Sequence, residues 1–383
     1  MKNYDVIILG GGASGSMVAM TTKLKSVAII DQDNRLAKKL LATGNGRCNL
    51  TNIGTNSLFY NQDISKYLNV FNAQDSIKFF ENIGLCVYSD DEGRVYPISN
   101  SAKSVTDVIS NKVAKQNTDV YLEHKILSVK KCTEGFCVKC DKQEFICKKL
   151  VVAMGGNQAE QIIKDFNIKA KPFVPSLVAL KTESTRALAN TKVSNVQVVL
   201  NYNGRQYAQT GEVLFKDSGL SGIAIFNLST ILARHNDFNA DIYIDLMPNV
   251  TLDELVKILS KRQALNVTIN KFFEGMFANP IAYEILNRCK LDEKKSSITL
   301  NIHQIQQMAS HIKHLNFKVK GCYDNNQVYS GGVKLDSLTD RLESKTTQNL
   351  YFCGEVCDVD GECGGYNLQW AWTSGKIVGE ILW

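Results

Sequence analysis

The sequence predicts an α/β fold whose nucleotide-binding domain is formed by both ends of the chain, with an inserted β-rich domain and a small helical subdomain. Three observations carry this. A β-rich apolar run, Tyr4 to Leu9, enters Gly10-Gly11-Gly12-Ala13-Ser14-Gly15, and helix-forming residues follow from Met17 to Leu24. A second β-rich run, Val27 to Ile30, ends in Asp31, 21 positions after Gly10. Between about Pro172 and Val328 the glycine-rich strings give way to alternating strand patterns and then to helical spacing.

Strand, glycine turn and helix at the start make a Rossmann-type βαβ unit. Gly10 permits the tight turn, Gly12 lets the backbone approach a pyrophosphate, and Gly15 allows the helix to pack closely on the strand. Ala13 and Ser14 then lie at the helix N-terminus, where free amides meet phosphate charge. A carboxylate about 20 residues beyond the first glycine accepts hydrogen bonds from the adenosine ribose, which assigns Asp31, with Gln32 beside it. FAD and NAD share this fingerprint, so later segments must choose between them.

Asp119 to Lys131 and Phe136 to Cys140 read as strands joined by a turn at Glu134-Gly135, suited to an accessory antiparallel sheet. Leu150 to Ala153 is another β-rich run, closing on Met154-Gly155-Gly156, a sequence suited to a strand that ends beside a cofactor. In the middle, Val193 to Leu200, Gln206 to Gln209 and Ile242 to Asp245 are strand-like, with turn residues at Asn203-Gly204. Leu252 to Arg262, Asn279 to Arg288 and His303 to Leu315 have helical spacing. The expected division is 1–171 with 329–383 for the nucleotide domain, 172–250 with about 316–328 for the β-rich insert, and 251–315 for the helical subdomain.

Two small constellations read as structural. His311 and His314 are spaced to share a helix face near His303, but without a carboxylate or cysteine set they suit a solvated face better than zinc. Cys137 and Cys140 form a CxxC in a strand pair, without a helix N-terminus to activate a thiol.

The string Lys39-Leu40-Leu41-Ala42-Thr43-Gly44-Asn45-Gly46-Arg47-Cys48-Asn49-Leu50-Thr51-Asn52 is more specific than any of these. It resembles the BaiN-like flavoprotein family, some of whose members are labelled aminoacetone oxidases. The resemblance continues through Phe79 to Ile109, with Gly93-Arg94-Val95-Tyr96-Pro97, through Gly211 to Phe215, and at Ser330-Gly331-Gly332-Val333 and Glu343-Ser344-Lys345. It is strongest from Leu350 to Gly375, with Gly354-Glu355, Asp358-Val359-Asp360-Gly361 and Gly364-Gly365-Tyr366-Asn367-Leu368-Gln369.

That resemblance implies FAD in a glutathione-reductase-like fold. It places Lys39 and Gly46, Arg47, Cys48 and Asn49 near the cofactor, with Cys48 the more exposed thiol beside the flavin. Ile126, Ala153, Met154 and Gly155 are further expected cofactor contacts, and Gly354 and Glu355 lie near the ribityl chain. Asn367, Leu368 and Gln369 open a helix, Leu368 to Leu382, whose N-terminus faces the flavin O2 edge and stabilises the negative charge of the reduced ring. Arg94 could hold a substrate carboxylate, Tyr96 could exchange a proton, and Tyr366 lies nearby. The chain departs from the family pattern at Met154, through Asn157 to Asp165, at Lys216-Asp217 where the family has Thr-His, and at Ser221-Gly222-Ile223. A role for that histidine therefore does not carry over.

The length allows two or three domains and burial of a large cofactor. The 383 residues are 44% hydrophobic and 21% charged, without an apolar run able to span a bilayer. The apolar start is interrupted by glycine, unlike a signal peptide. Eleven cysteines at irregular spacing read as reduced thiols, which points to the cytoplasm. Formal charge is +6, with lysines scattered and no basic block, so the charge does not point to nucleic acid as a partner. The leading expectation is an FAD-dependent oxidoreductase moving a hydride or electron pair to or from a small organic substrate. A single GxGxxG suggests that NAD(P)H docks directly on the flavin instead of in its own domain. An amine-type oxidase is the alternative, and a flavin-dependent RNA-modifying or redox-sensing protein is the reading from another class. A Rossmann protein that binds NAD and purifies colourless is a third. Sequence leaves the oligomeric state and the catalytic acid or base open.

Overall fold

Apolar β-branched residues concentrate in Lys2–Leu9 (β1), of which Val6 to Leu9 are fully inaccessible. Such a continuous run marks a strand covered on both faces, each side chain contributing roughly 1.5–3 kcal/mol on burial. The computed structural model describes residues 1–183, 185–324 and 328–382. It divides into two compact units, Met1–Val174 with Gln327–Trp383, and Pro175–Asn326.

In the first unit β1 turns through the glycines into Ala13–Thr21 (α1) and Val27–Ile30 (β2). Next come Thr51–Asn52 (β3), Ser65–Leu68 (α2), Ala73–Asn82 (α3), Val87–Ser89 (β4), Arg94–Pro97 (β5) and Ala102–Ala114 (α4). Asp119–Tyr121 (β6) precedes a meander of Ile126–Cys132 (β7), Gly135–Cys140 (β8) and Glu144–Val152 (β9), then Glu160–Asp165 (α5) and Ala170–Ser176 (β10).

The order β6-β2-β1-β9-β8-β7 defines the main sheet. Its parallel part runs from Ala28↔Asp119 through Leu9↔Ile30 to Leu9↔Val152. Strand β9 is shared along its length. Its first half pairs antiparallel with β8, and Leu150 to Val152 pair parallel with a late strand that returns from the chain's other end. The expected single strand Asp119 to Lys131 is therefore two strands in different places, and the meander continues the main sheet instead of forming an accessory one. The break falls where Glu123 and His124 donate backbone N–H groups to the carbonyls of Asp33 and Asp31, at 3.0 and 2.9 Å, folding the chain back on the loop after β2. Helix α1 also begins earlier than Met17, because Gly15 allows its first turn to lie against the glycine loop.

The second unit is a closed barrel with helices on one core. Its strands are Leu180–Thr182 (β11), Lys192–Tyr202 (β12), Arg205–Lys216 (β13), Gly219–Ser221 (β14), Ala240–Asp245 (β15) and Leu315–Cys322 (β16), in the order β11-β14-β13-β12-β15-β16. The β12–β13 hairpin turns at Asn203-Gly204 with φ of 49° and 73°, the double positive φ of a type I′ turn. Its helices are Ile223–His235 (α6), absent from the sequence reading, with Leu252–Gln263 (α7), Asn279–Arg288 (α8) and Ile302–Lys313 (α9). Leu255, Leu259, Ile285, Ile305 and Met308 share one core with Val198, Leu200 and Ile242 of the barrel, so 251–315 is no separate subdomain. The boundary expected near 328 abuts residues 325–327, which lie outside the described residues.

His314 caps α9 with an extended φ of −141°, so it does not share a helical face with His311. Cys137 and Cys140 both lie on β8, where a separation of three sends side chains to opposite faces.

The chain returns to the first unit with Val328–Val333 (β17), Leu350–Phe352 (β18) and Tyr366–Ile381 (α10), the last carrying the buried Trp370 and Trp372.

Candidate functional site

Three adjacent parallel strands end at one level. Gly10 N–H donates to Ile30 O at 2.8 Å, Ala153 N–H to Leu9 O at 2.8 Å, and Cys353 N–H to Val152 O at 3.1 Å. The chain therefore leaves the carboxyl edge of the sheet at Gly10, Ala153 and Cys353, where open α/β sheets bind ligands. Gly10 adopts φ of 98°, and a Cβ there would lie 2.5 Å from Ala153 O. A Cβ on Gly15 would overlap Gly10 O, whereas one on Gly12 would meet nothing within 4 Å. Gly12 caps α1 without a side-chain hydrogen bond, which leaves the amides of Ala13, Ser14 and Gly15 without an intrahelical acceptor on that open side.

Asp31 sits beside this turn. Its Oδ2 accepts Gly11 N–H at 2.5 Å and its Oδ1 accepts Asp33 N–H at 2.8 Å, and each oxygen keeps a further lone pair. Burial pushes the carboxyl above its usual range, against the pull of the two amides. Gln32 is exposed, and half-buried Ile126 opens β7, two residues after the His124 that donates to Asp31 O.

Met154 and Gly155 follow β9, and a Cβ on Gly155 would lie 3.2 Å from Glu355 Oε2. Both Glu355 oxygens are engaged by the protein, Oε2 by Lys39 Nζ at 2.9 Å and Oε1 by Tyr329 N–H at 2.7 Å. Gly46 is exposed, and Arg47 lays its guanidinium over the Tyr96 ring, 4.3 Å from the centroid, while its Nε donates to Gly44 O at 3.3 Å.

Two expectations change here. Cys48 is fully inaccessible, and burial pushes its thiol up to about 12, so it is not an exposed thiol. Arg94 donates to Asp90 at 2.8 Å and to Glu92 at 3.0 Å, so its own neighbours already supply the carboxylates it was expected to hold from a substrate. Tyr96 is nearly buried, and burial raises its phenol above the usual value. Tyr366 stacks on Phe59 at 4.4 Å, and its carbonyl accepts from Tyr60 Oη at 2.9 Å.

The second half of the site is the start of α10. Gly365 caps it at φ of 103°, and a Cβ there would lie 2.6 Å from the Thr51 carbonyl and 3.0 Å from Asn49 Oδ1. No side chain caps the helix, so the amides of Tyr366, Asn367 and Leu368 lack intrahelical acceptors. Asn49 is 9% accessible, and its Oδ1 is buried with no hydrogen-bond partner. Asn367 is spent on the preceding loop, accepting Gly361 N–H and donating to Gly361 O, both at 2.9 Å. Gln369 faces inward. It accepts from Thr51 Oγ1 at 2.7 Å and donates to Thr373 Oγ1 at 3.0 Å and Phe71 O at 3.2 Å.

Several positioning residues escaped the sequence reading. Trp372 Nε1 donates to Leu50 O at 2.9 Å, Trp370 Nε1 to Gly354 O at 3.0 Å, and Gly354 N–H to Ser374 Oγ at 2.8 Å. A Cβ on Gly375 would lie 2.5 Å from Ser14 O, so α10 crosses α1 backbone to backbone. These residues read as core in the sequence, and the glycine separation from 375 to 379 was the one available signal.

Uncapped donors at α1 and α10, an open face at Gly12 and an orphan acceptor at Asn49 fit a long anionic dinucleotide that ends in a polar ring. The FAD expected from the sequence meets that description. Among the described residues, no cluster of three or more His, Cys, Asp or Glu could hold a metal ion, and no helix is long and apolar enough to cross a membrane.

Comparison with known proteins agrees. The family model described as HI0933-like protein Rossmann domain matches residues 4–381. A 3-dehydro-bile acid delta(4,6)-reductase of Clostridium scindens is 29% identical, with 97% of each chain covered. A ribosomal RNA dihydrouridine synthase of Escherichia coli is 27% identical over 100% of this chain and 98% of its own. Among solved structures, a 3-ketosteroid delta1-dehydrogenase from Sterolibacterium denitrificans shares the fold at a TM-score of 0.51 and 12% identity, covering 100% of this chain and 99% of its own.

Proposed function

The chain belongs to the HI0933-like protein Rossmann-domain family and is an FAD-dependent oxidoreductase, and from that premise we propose that it reduces a carbon–carbon double bond conjugated to a carbonyl, with NAD(P)H as electron donor. The observation that carries the flavin part of this reading is the pair of uncapped helix N-termini, α1 and α10, on helices that cross through Gly375. One suits a diphosphate and the other a ring that gains negative charge on reduction.

Each part of the site then has a task. The amides of Ala13 to Gly15 hold the diphosphate, and Asp31 accepts from the ribose. The Lys39–Glu355 pair and Gly354 line the connecting chain, and α10 with Asn49 receives the ring. FAD, when bound, supplies the two-electron chemistry. Tyr96 is the candidate proton donor, because burial raises its phenol above the usual value against the pull of Arg94 and Arg47, and the return of a proton must accompany hydride delivery.

The relatives' names support reduction over amine oxidation. One is called a delta(4,6)-reductase, and the others dihydrouridine synthases, a name for a uridine that has gained two hydrogens. Both names describe an electron-poor ring alkene. The single glycine fingerprint supports a nicotinamide that docks without a domain of its own.

Anaerobic incubation of the FAD-loaded protein with NADH or NADPH tests this, offering a 3-oxo steroid enone in one arm and unmodified ribosomal RNA in another. A mass gain of two hydrogens in either product is expected, and the responding arm identifies the substrate class. Absence of that gain in both, with amine oxidised instead, would overturn the reading.

A further inference from the structure

A second concavity opens in the first unit, away from the glycine loop. Its volume is about 570 Å³, and its walls come from the C-terminal parts of α1, α3, α4 and α10. Helix α1 starts at the glycine loop and reaches this cavity after 9 residues, about 13 Å on at a rise of roughly 1.5 Å per residue. The cavity is therefore separate from the candidate flavin site, and its size is that of small-molecule pockets, roughly 300–1,000 Å³.

The lining divides by chemistry. Met20, Phe79 and Ile83 form an apolar wall, while Lys23, Lys112 and Lys376 bring three ammonium groups. Glu380 brings a carboxylate, and Lys376 engages it at 2.9 Å while lying 5.7 Å from the centroid of the Phe79 ring. Among the described residues, Lys23 and Lys112 have no ion-pair partner. Two positive charges thus stay uncompensated, and a concave surface focuses their field on whatever enters. Helix ends explain only part of this charge. Cations favour the last turn of a helix, where Lys112 sits in α4, but Lys23 lies beyond α1 and its cap, and Lys376 lies inside α10.

The arrangement selects the occupant. Two free ammonium groups match a dianion, and lysine binds phosphate as a point charge. A bare phosphate would leave the apolar wall wet and most of the volume unused. A planar ring system joined to phosphate uses both, with the ring against Phe79 and the phosphate toward Lys23 and Lys112. We propose that this cavity is a second ligand site and that it binds a free nucleoside monophosphate in this way. The site goes beyond the redox reading and does not depend on it.

Calorimetric titration of the FAD-loaded, full-length protein with AMP tests this, because FAD already fills the glycine loop. AMP is expected to bind at a single site, with adenosine and inorganic phosphate each at least about tenfold weaker. Lys23→Ala and Lys112→Ala should each weaken AMP by about tenfold, the worth of one charged hydrogen bond, with flavin content unchanged. Lys23 is exposed, so its substitution leaves the fold intact, and Lys23→Arg, which keeps the charge, should keep most of the affinity. Absence of AMP binding at millimolar concentration, phosphate binding as tightly as AMP, or AMP binding that both alanine variants retain would overturn the proposal. A wild-type protein that holds no flavin would instead count against the flavin reading, and the lysine variants would still decide this one.

Discussion

Gly15 carries no side chain, and that missing carbon lets the first turn of α1 lie on the carbonyl of Gly10. Gly15→Ala is expected to cost roughly 1–3 kcal/mol by overpacking, lowering the melting temperature by several degrees and releasing FAD. Calorimetry and flavin content check both. The strand, glycine turn and helix at Gly10 to Gly15 were legible in the sequence because such a loop is local, with all its determinants within about 20 residues. The burial of Cys48 was not legible, since the residues that cover it are distant in the chain. With its thiol pushed up to about 12, Cys48 stays protonated at pH 8, while Cys86 is exposed. A disulfide reagent at that pH should lose its fast phase in Cys86→Ser and keep it in Cys48→Ser. Asp31 offers a pH test. Its folded carboxyl is raised by burial, so in the apoprotein its stabilising contribution is complete below the usual value of 3.8 and is lost as pH rises through the folded value. The stability of Asp31→Asn relative to wild type should therefore climb from acid toward neutral pH. Denaturant titrations that show a flat or falling difference would contradict the assignment.

At the scale of elements, α10 sets the ring end of the site, and Gln369 anchors it to β3 and to the turn at Phe71 through two buried hydrogen bonds, with a third to Thr373 of the same helix. Gln369→Leu leaves the Thr51 hydroxyl without its acceptor, at a cost of about 1–3 kcal/mol. FAD affinity should fall with it, while Gln369→Glu, which still accepts from Thr51, should recover part of the loss. Equal effects of the two substitutions would show that the side chain acts by volume alone. Helices α7, α8 and α9 were found in the sequence by their spacing. Thr251 with Glu254 begins α7 and Asn301 with Gln304 begins α9, each pair satisfying two amides at the helix N-terminus. Asp119 to Lys131 was misread because β6 and β7 carry equally good strand patterns. Which partner each one takes is fixed by β2 and β8, which the local pattern does not encode. Helix α6 was missed because it follows Gly222 as an apolar run with neither a side-chain cap nor an acidic first turn.

For the whole molecule, the two units each own a core. The barrel unit closes its sheet and pairs its edges, which removes the exposed strands that make excised fragments aggregate. Residues 175–326 expressed alone should therefore unfold in one cooperative transition and remain colourless, since every candidate cofactor contact lies in the first unit. The order of motifs led to an expected insert at 172–328, and the compact units divide at Pro175 and Asn326. The merging of strands and helices into one core was not legible in the sequence, because that depends on how apolar faces from α7, α8 and α9 meet the barrel.

The central claim is that flavin in the first unit passes electrons from a nicotinamide to a conjugated alkene. The most direct test is an anaerobic absorbance spectrum of the FAD-loaded protein, taken before NADPH or NADH, after it, and after an enone is added. The account predicts a flavin band that bleaches with the nicotinamide and returns with the enone while oxygen is excluded. A bleached band that returns only on admitting oxygen, or a protein that holds no flavin, would contradict it.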